Sequence, residues 1–514
     1  MKRVLLIATV LASTVAAQVF QKGNVLSPVA TLQMAAPEIS AYMPEKKLLF
    51  VVGGEKLVEM VSFADEANPK VESCLQLDGP ATSVTVHGDL VAVSITAEPD
   101  HGLGQVQMFR YAEGLIPVAS AQRLCHLPDM VTFTPDGSKI LVACEGSPSA
   151  DYNEDPEGGV AILSVEHGAS LNDYKLTPKV LDFKGLDSLA LRKKGVRSPG
   201  LQGFVRSLEP EYITVSKDSK WAWVSLQENN AIAKVDVAAE KIADIFPLGY
   251  VDHSKPGFGL DVKKDEKVKI KNYPIRGLRQ PDGVASFAVG GKTLVLTANE
   301  GASVNDYKAW TDEGTVTDLL ADDRLDRTVF NDDVAPHLKK FTVSLLERCD
   351  QQGPDEVPGG KCPYVYGFGT RSVSLFDGET GRLLWDSGEE MERAFAKLAP
   401  DYFNWNSKKD KVKMDSRSPK KGCEPENVTV GEVNGKRYAF VGLERSSGVA
   451  VFDLTGVDAA ARTVPKLVDL YFDPKDRGPE GLLFIPADKS PIYGQALLVV
   501  GYEFSKTLTV YRVK

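Results

Sequence analysis

The chain contains few of the residues that bind zinc or iron. Its 514 residues include six histidines and six cysteines, and no CxxC or HExxH segment occurs. Many zinc and iron centres draw their imidazole or thiolate ligands from such short motifs. The sequence therefore argues against a histidine-built metal centre.

Excess positive charge and nucleophile motifs are also missing. The formal net charge is −10, so we expect divalent cations or basic surfaces as partners and no nucleic acid. The sequence has no GxSxG motif and no Ser/His/Asp set that can be placed. It therefore gives no support to a serine hydrolase.

Beyond the N-terminus, no apolar run is long enough to span a bilayer. The N-terminus itself begins with two basic residues, continues with apolar residues from Val4 and ends in small residues at Ala17. This pattern predicts a secretory signal peptide over residues 1–17, and a single membrane anchor is the alternative. We therefore expect export of a mature chain, residues 18–514, with no transmembrane segment.

Cysteines in an exported chain tend to form disulfides. Cys349 and Cys362 bracket a loop rich in glycine and proline, so we expect this local pair. Cys125 and Cys144 flank the two ends of one predicted hairpin, and they offer a second pair. The full connectivity of the six cysteines cannot be read from the sequence.

What the sequence does contain is a sevenfold repeat. In each copy a proline opens an apolar run and a glutamate closes the next run, 17 to 19 residues later in six copies and 24 in the last. The pairs are Pro37 with Glu55, Pro80 with Glu98, Pro128 with Glu145, Pro210 with Glu228, Pro281 with Glu300, Pro425 with Glu444 and Pro479 with Glu503. In every copy but the second, an acid follows the proline: Glu38, Asp129, Glu211, Asp282, Glu426 and Glu480.

The repeats predict β-structure. Each copy has two apolar runs joined by turn residues, and further strands follow, as in MVTFTPDGSKILVAC from Met130. Four antiparallel strands per copy, without helical periodicity, predict an all-β fold, a seven-bladed β-propeller with long inter-blade insertions. The last copy lacks a fourth strand, which residues 24–34 are expected to supply, closing a single domain over residues 18–514. A pair of β-sandwiches is the alternative.

Long insertions interrupt the repeats at residues 182–206, 249–279, 302–367 and 389–421. Long loops on a rigid scaffold often carry binding features. The last insertion contains the aromatic segment DYFNWN. One interpretation therefore makes the propeller a scaffold for a protein or glycan, with Tyr402, Phe403 and Trp405 as exposed anchors.

The geometry of a propeller predicts an acidic rim. The start of the first strand and the end of the second lie on the same side of each blade, so the repeated acids converge on one mouth of the central channel. Clusters of carboxylate oxygens suit Ca²⁺ or Mg²⁺, whereas simple turn formation is the alternative explanation. The candidate metal ligands are Glu145, Asp151, Glu211, Glu228, Asp282, Glu300, Asp306, Glu426, Glu444, Glu480 and Glu503.

Two members of this set come from a longer match. The third and fifth copies share the spacing EG-x4-DY, which places Asp151 and Asp306 beyond the closing glutamates. The acids after Asp151 also alternate as in an EF-hand loop, but Pro156 stands where that loop needs glycine.

Two arginines are candidates for a catalytic role. Arg445 follows Glu444 directly, and Arg417 lies in the last insertion. Either arginine could bind an anionic ligand or neutralise the acids as an internal counter-ion. Arginine beside a carboxylate-held cation is a phosphate-binding environment.

Several long segments resemble the choice-of-anchor I proteins, a group that includes the mesenchyme-specific cell-surface glycoproteins. They include QPDGVASF with LVLTANEG, and GPEGLLFIPADKSPIYGQALLVV. The resemblance covers almost the whole mature chain. It implies a secreted or surface-attached propeller, associated with calcium mineral in animals, and some relatives carry an alkaline phosphatase label.

Two functions follow as expectations. The first is a non-catalytic extracellular protein that binds Ca²⁺ or another divalent cation and acts in surface interaction or mineral association. The alternative is a metal-dependent phosphoric monoester hydrolase acting on a phosphate-containing ligand. The sequence favours the first, because no residue stands out as a base or nucleophile.

Overall fold

The computed structural model of the chain describes residues 20–21 and 25–514, except 67, 100, 306–307, 309, 348 and 350–360. The predicted signal peptide, residues 1–17, and the candidate ligand Asp306 lie outside the described residues. No helix in the described ranges has the length and apolar character needed to cross a membrane.

Seven antiparallel sheets dominate the structure, and each contains one copy of the repeat. Sheet 1 has the strands Ile39–Met43, Leu48–Val52, Leu57–Ser62 and Lys70–Gln76. Sheet 2 has Ala81–His87, Leu90–Ile95, Gln105–Tyr111 and Leu115–Ala121. Sheet 3 has Pro128–Phe133, Lys139–Cys144, Gly159–His167 and Tyr174–Leu181. Sheet 4 has Pro210–Val215, Trp221–Leu226, Ala231–Asp236 and Lys241–Pro247.

The remaining three sheets use strands that are distant in the sequence. Sheet 5 has Val284–Val289, Lys292–Ala298, Val373–Asp377 and Leu383–Asp386. Sheet 6 has Pro425–Val433, Lys436–Leu443, Gly448–Asp453 and Lys466–Phe472, with Phe20–Gln21 at its edge. Sheet 7 has Pro479–Ile485, Leu497–Tyr502, Thr507–Val513 and, from the N-terminus, Leu26–Gln33.

The sheets form a closed ring. The first strand of each sheet contacts the first strand of the next, and the first strand of sheet 7 contacts that of sheet 1. Leu26–Gln33 pairs antiparallel with Thr507–Val513, so a strand from the N-terminal part of the chain and the last strand meet in sheet 7. First strands around an axis, with meanders running outward, make a β-propeller. The predicted all-β propeller architecture is confirmed.

The apolar cores lie between neighbouring sheets, because each sheet buries both of its faces. The strand Lys139–Cys144 reads KILVAC and is buried from its second residue to its last. One core joins sheets 3 and 4, and another joins sheets 5 and 6. Strands covered on both faces lose the alternation of apolar and polar residues.

The insertions add smaller sheets and helices to the seven sheets. They contribute the small sheet Tyr250–Asp252, Ile275–Leu278 and Val365–Phe368, and the pair Glu313–Thr315 and Thr342–Ser344. The helices are Ser188–Lys194, Val316–Ala321, Ala335–Leu338 and Glu390–Leu398, and the 3₁₀ turns are Pro44–Lys46 and Pro400–Tyr402.

Two disulfides are present, and both are pairs that the sequence suggested. Cys349 bonds to Cys362 within the largest insertion, and Cys125 bonds to Cys144 beside the first hairpin of sheet 3. Cys74 and Cys423 are free, the first exposed and the second buried.

The aromatic segment of the last insertion is buried, so the expectation of exposed anchors is wrong. The side chains of Phe403 and Trp405 are 0% and 1% exposed. The Trp405 Nε1 donates a hydrogen bond to the Ser446 carbonyl at 3.2 Å, and the Tyr402 ring lies 5.0 Å from that of Phe472 in sheet 6. The insertion folds back onto sheet 6 because burial there removes this aromatic surface from water.

The substitution Trp405→Ala is therefore expected to destabilise the fold by about 3–5 kcal/mol, because it leaves a cavity and an unpaired carbonyl. Chemical denaturation followed by intrinsic fluorescence measures this change. Tyr493→Ala is the control, because the Tyr493 side chain is 95% exposed and its loss should change the unfolding free energy little. Equal effects of the two substitutions would contradict the packing described here.

Candidate metal centre

The acids after the prolines are placed by irregular strand pairing. In sheets 3, 4, 6 and 7 the register shifts between the opening proline and the third residue after it, as between Pro425 and Val428. A β-bulge of this kind turns side chains out of the regular alternation of the strand. Proline suits the position because it has no N–H to contribute to the ladder.

Acids of different sheets share one space at the channel mouth. Glu211 of sheet 4 interacts electrostatically with Glu228, Asp282 and Glu145. Glu480 of sheet 7 interacts with Glu444, Asp282 and Glu38. The structure therefore brings together acids from sheets that are not neighbours.

Burial and mutual repulsion raise the pKa values of these acids. Burial, followed by the charge of Glu503, raises the pKa of Glu38 to about 7. Burial also raises the pKa of Asp129 to about 6, of Asp282 to about 7 and of Glu444 to about 8. Burial is also the largest cause of a raised pKa in six further acids: Glu145, Glu209, Glu211, Glu228, Glu426 and Glu480. Ionising all of these carboxyl groups would therefore place more negative charge at the mouth than its surroundings stabilise.

One corner of the mouth is neutralised by the protein itself. The buried carboxylate of Glu424 accepts a hydrogen bond from Arg417 Nε at 2.7 Å and lies 3.1 Å from Lys421 Nζ and 3.3 Å from Arg445 Nε. Burial alone would raise the pKa of Glu424, but these three cations outweigh it and lower the pKa to about 2.

The same bases reach the neighbouring acids. Lys421 Nζ also contacts Glu300, and Arg445 Nε lies 3.1 Å from Glu444 Oε2. Glu300, Glu424 and Glu444 have carboxylate oxygens within 4.8 Å of one another. Three cations accompany these three acids, so this group does not need a metal ion.

Two other groups have less compensation. The carboxylate oxygens of Asp282, Glu300 and Glu426 lie within 4.8 Å of one another, and so do those of Glu444, Glu480 and Glu503. In the described part of the chain, the ion pairs of these groups are those of Glu300 with Lys421 and of Glu444 with Arg445. Arg445 also interacts electrostatically with Glu426.

The first group also contains an unsatisfied ligand atom. Glu426 is 8% exposed, and its Oε2 is buried without a hydrogen-bond partner. A buried carboxylate oxygen without a partner is costly unless a proton or a cation joins it. Three carboxylates that converge in this way form a hard-oxygen site suited to a divalent cation.

Four other predicted ligands belong to none of these groups. Glu145, Glu211 and Glu228 lie on the side of sheets 3 and 4 and join none of the three groups found among the described residues. Asp151 is exposed, and its carboxylate accepts hydrogen bonds from Ser149 and Asn153 of its own loop.

The first two repeats contribute less to the mouth. Their closing glutamates, Glu55 and Glu98, are exposed. Glu98 forms an ion pair with Lys56, which is also exposed. These two closing glutamates therefore lie outside the three groups, in contrast to those of sheets 5, 6 and 7.

Sequence reasoning missed Glu209, Lys421 and Glu424. A signal for the two acids was present, because the fourth and sixth repeats read Glu-Pro-Glu, with an acid on each side of Pro210 and Pro425. No pattern pointed to Lys421. Arg417 and Arg445, the two candidate catalytic residues, are engaged as counter-ions of Glu424.

The sequence is similar to a known protein family and to two individual proteins. The family model described as the choice-of-anchor I domain matches residues 38–457. The chain is 29% identical over 303 residues to "Mesenchyme-specific cell surface glycoprotein" of Strongylocentrotus purpuratus, covering 54% of this chain and 38% of that protein. It is 28% identical over 165 residues to "Gigasin-3a" of Magallana gigas, covering 29% of this chain and 58% of that protein. The chain thus spans less than two thirds of the length of either relative.

Solved structures resemble the chain only in outline. Hydrazine synthase of Kuenenia stuttgartiensis aligns with 94% of this chain and 97% of its own at a TM-score of 0.45 and 11% identity. The β-propeller domain of Cps50 (Swd1) from Myceliophteria thermophila aligns with 95% and 100% at a TM-score of 0.46 and 8% identity. The propeller assignment rests on the order of the sheets, not on these likenesses.

The raised pKa values predict that the metal-free protein loses stability as pH rises. Folding raises the pKa of Asp129 to about 6 and the pKa values of Glu38 and Asp282 to about 7, so the folded state holds protons more tightly than the unfolded state. That stabilisation is complete below the ordinary carboxyl pKa and is lost as pH rises through the raised values. Thermal melts in chelator should therefore show a lower melting temperature at about pH 8 than at about pH 5.5. A constant or rising melting temperature would contradict the crowding of acids.

Proposed function

The chain belongs to the choice-of-anchor I family, and we propose that it is an extracellular or cell-surface β-propeller protein that binds Ca²⁺ at the acidic mouth of its channel. Two disulfides support an oxidising compartment. The name of the sea urchin relative, a cell surface glycoprotein, supports the same location. The role of the protein is then surface interaction or association with calcium mineral.

The observation that carries this proposal is the group formed by Asp282, Glu300 and Glu426. Its carboxylate oxygens lie within 4.8 Å of one another, and Glu426 Oε2 is buried without a partner. Ca²⁺ accepts several carboxylates in irregular geometry, whereas Mg²⁺ requires a tighter octahedron and keeps much of its water. The crowded carboxylates therefore favour Ca²⁺ over Mg²⁺.

A cation at these groups would join neighbouring sheets. Asp282 and Glu300 belong to the repeat of sheet 5, and Glu426 belongs to that of sheet 6. In the second group, Glu444 follows the second strand of sheet 6, and Glu480 lies in sheet 7. Bound cations would thus replace repulsion between adjacent sheets by attraction, which couples cation binding to the stability of the ring.

Calcium is therefore expected to raise the melting temperature of the chelator-treated protein by several degrees. Glu426→Gln should reduce this rise markedly, because it removes one anionic ligand while keeping the shape of the side chain. The same substitution should leave the metal-free melting temperature unchanged or higher, because it relieves repulsion. Differential scanning calorimetry with and without Ca²⁺ measures both effects.

Glu98→Gln is the control, because Glu98 is an exposed acid that closes the second repeat and lies outside the three groups. It should respond to Ca²⁺ as the unmodified protein does. Indifference of the unmodified protein to both Ca²⁺ and chelator would refute the proposed site. An equal loss of response in both variants would assign the effect to net charge.

A second candidate function is metal-dependent phosphomonoester hydrolysis, favoured by one observation. Arg445 Nη1 is buried beside the acids and has no hydrogen-bond partner, so it offers a donor to a phosphoryl oxygen next to a bound cation. The proposed cation would polarise the phosphoryl group and activate water. Arg417 is less available, since both its Nε and Nη2 donate to Glu424.

If the protein is such an enzyme, it should hydrolyse p-nitrophenyl phosphate in the presence of a divalent cation, and chelator should abolish the activity. Arg445→Lys should lower kcat/KM by about tenfold or more, because lysine cannot present the paired donors of arginine. Lys193→Gln, on an exposed helix, is the control. No turnover across pH and divalent metals would leave the non-catalytic function alone.

A further inference from the structure

Two lysine-rich loops that are remote in sequence meet on the surface. We call them together the lysine patch. The first loop, residues 263–271, carries five lysines, and the second, residues 408–413, carries four. All nine are exposed: Lys263, Lys264, Lys267, Lys269, Lys271, Lys408, Lys409, Lys411 and Lys413.

The fold holds the two loops together. The backbone N–H of Asp265 donates to Asp415 Oδ2 at 2.8 Å, which links the first loop to the end of the second. The buried guanidinium of Arg371 donates to the Asp261 carbonyl at 2.7 Å and to the Ser418 carbonyl at 2.6 Å. One buried side chain thus fixes the flanks of both loops, and Glu392 balances its charge at 2.9 Å.

The patch lies beside the acidic mouth of the channel. Ser407, which precedes the second loop, donates its hydroxyl to the Glu444 carbonyl at 2.8 Å. A strongly basic surface therefore borders a strongly acidic one.

The lysines of the patch outnumber its acids by three to one. Across the part of the chain that the structure describes, Lys269 is the one lysine of the nine in direct ion-pair contact, with Asp265 at 2.6 Å. Lys263 and Lys267 interact electrostatically with the same carboxylate. The acid within the second loop, Asp410, pairs instead with Arg477 at 3.2 Å. The two loops thus carry nine lysines against three acids, Asp265, Glu266 and Asp410, in a chain of net charge −10, and this excess forms a local field that attracts anions.

We propose that the lysine patch binds a linear polyanionic polysaccharide, of the sulfated or carboxylated class found outside cells. Lysine is a point charge on a flexible stem, so an array of lysines responds to charge density and not to one planar group. Apolar exposure within the two loops is limited to Val268 and Val412, at 38% and 40%. The patch therefore lacks the aromatic and arginine anchors of a protein interface, and an extended charged chain fits it better than a folded acidic protein.

The test uses the full mature chain and heparin as the probe. In the patch variant, Lys264, Lys267, Lys409 and Lys411 are changed to Gln. In the control variant, the exposed residues Lys46, Lys70, Lys193 and Lys194 are changed to Gln. Both variants lose the same charge, so any difference between them reports the position of the lysines and not the net charge.

The unmodified protein and the control variant should bind heparin alike, and the patch variant at least about tenfold more weakly. Affinity should fall steeply with salt, with a smaller slope for the patch variant, because fewer counter-ions are released. Equal binding by the two variants, or affinity independent of salt, would overturn the proposal. Tighter binding to polyglutamate or to single-stranded DNA than to heparin would also overturn it, since either result assigns the patch to another class of partner.

The calcium-induced rise in melting temperature, measured on the patch variant, separates this proposal from the proposed function. The patch variant should keep both its metal-free melting temperature and the calcium response of the unmodified protein, which shows that the channel mouth is folded. Loss of heparin binding together with a lowered metal-free melting temperature would indicate misfolding and overturn the assignment. Absence of any calcium response in the unmodified protein refutes the calcium site without affecting the heparin result.

Discussion

Ring closure is the constraint on which the rest of this structure depends. The strand Leu26–Gln33 pairs with Thr507–Val513, and the Gly481 N–H donates to the Glu38 carbonyl at 3.1 Å, which joins sheet 7 to sheet 1. The approach is so close that a Cβ on Gly481 would lie 2.2 Å from that carbonyl oxygen. Closure removes the exposed edges of an open array, and it forces the repeated acids onto one axis. The electrostatic character of the mouth is therefore a consequence of the fold.

The protein compensates this crowding unevenly. The last insertion brings Arg417 and Lys421 to the buried Glu424, and Arg445 joins them from the end of a strand in sheet 6. Among the described residues, Asp282, Glu426, Glu480 and Glu503 of the other two groups form no ion pair with lysine or arginine, whereas Glu300 and Glu444 do. Lysine and arginine side chains thus neutralise Glu424, whereas the carboxylates without basic partners depend on protons or on ions from solution. The raised pKa values link stability to pH, and the proposed cation binding would act on the same carboxylates.

Opposite charges are segregated around the mouth. The acids lie inside, where burial amplifies their repulsion, and the lysines of residues 263–271 and 408–413 lie outside, where water screens them. The buried side chain of Arg371 and the carboxylate of Asp415 keep the two lysine loops together. The proposed calcium site next to a basic patch would suit an environment that contains both calcium and acidic polymers.

Local patterns in the sequence determined much of this picture. The spacing of proline and glutamate, the strand alternation and the turn residues predicted the repeated sheets, because strand periodicity and turn chemistry depend on near neighbours. The pair Cys349 and Cys362 was equally local. By contrast, the burial of Trp405 depends on how an insertion folds back onto sheet 6, which no local pattern encodes. The tertiary structure alone decided that Lys421 lies against Glu424 and Glu300 and that Asp282, Glu300 and Glu426 converge. These contacts join residues from different repeats, and only the closed ring sets the distances between them.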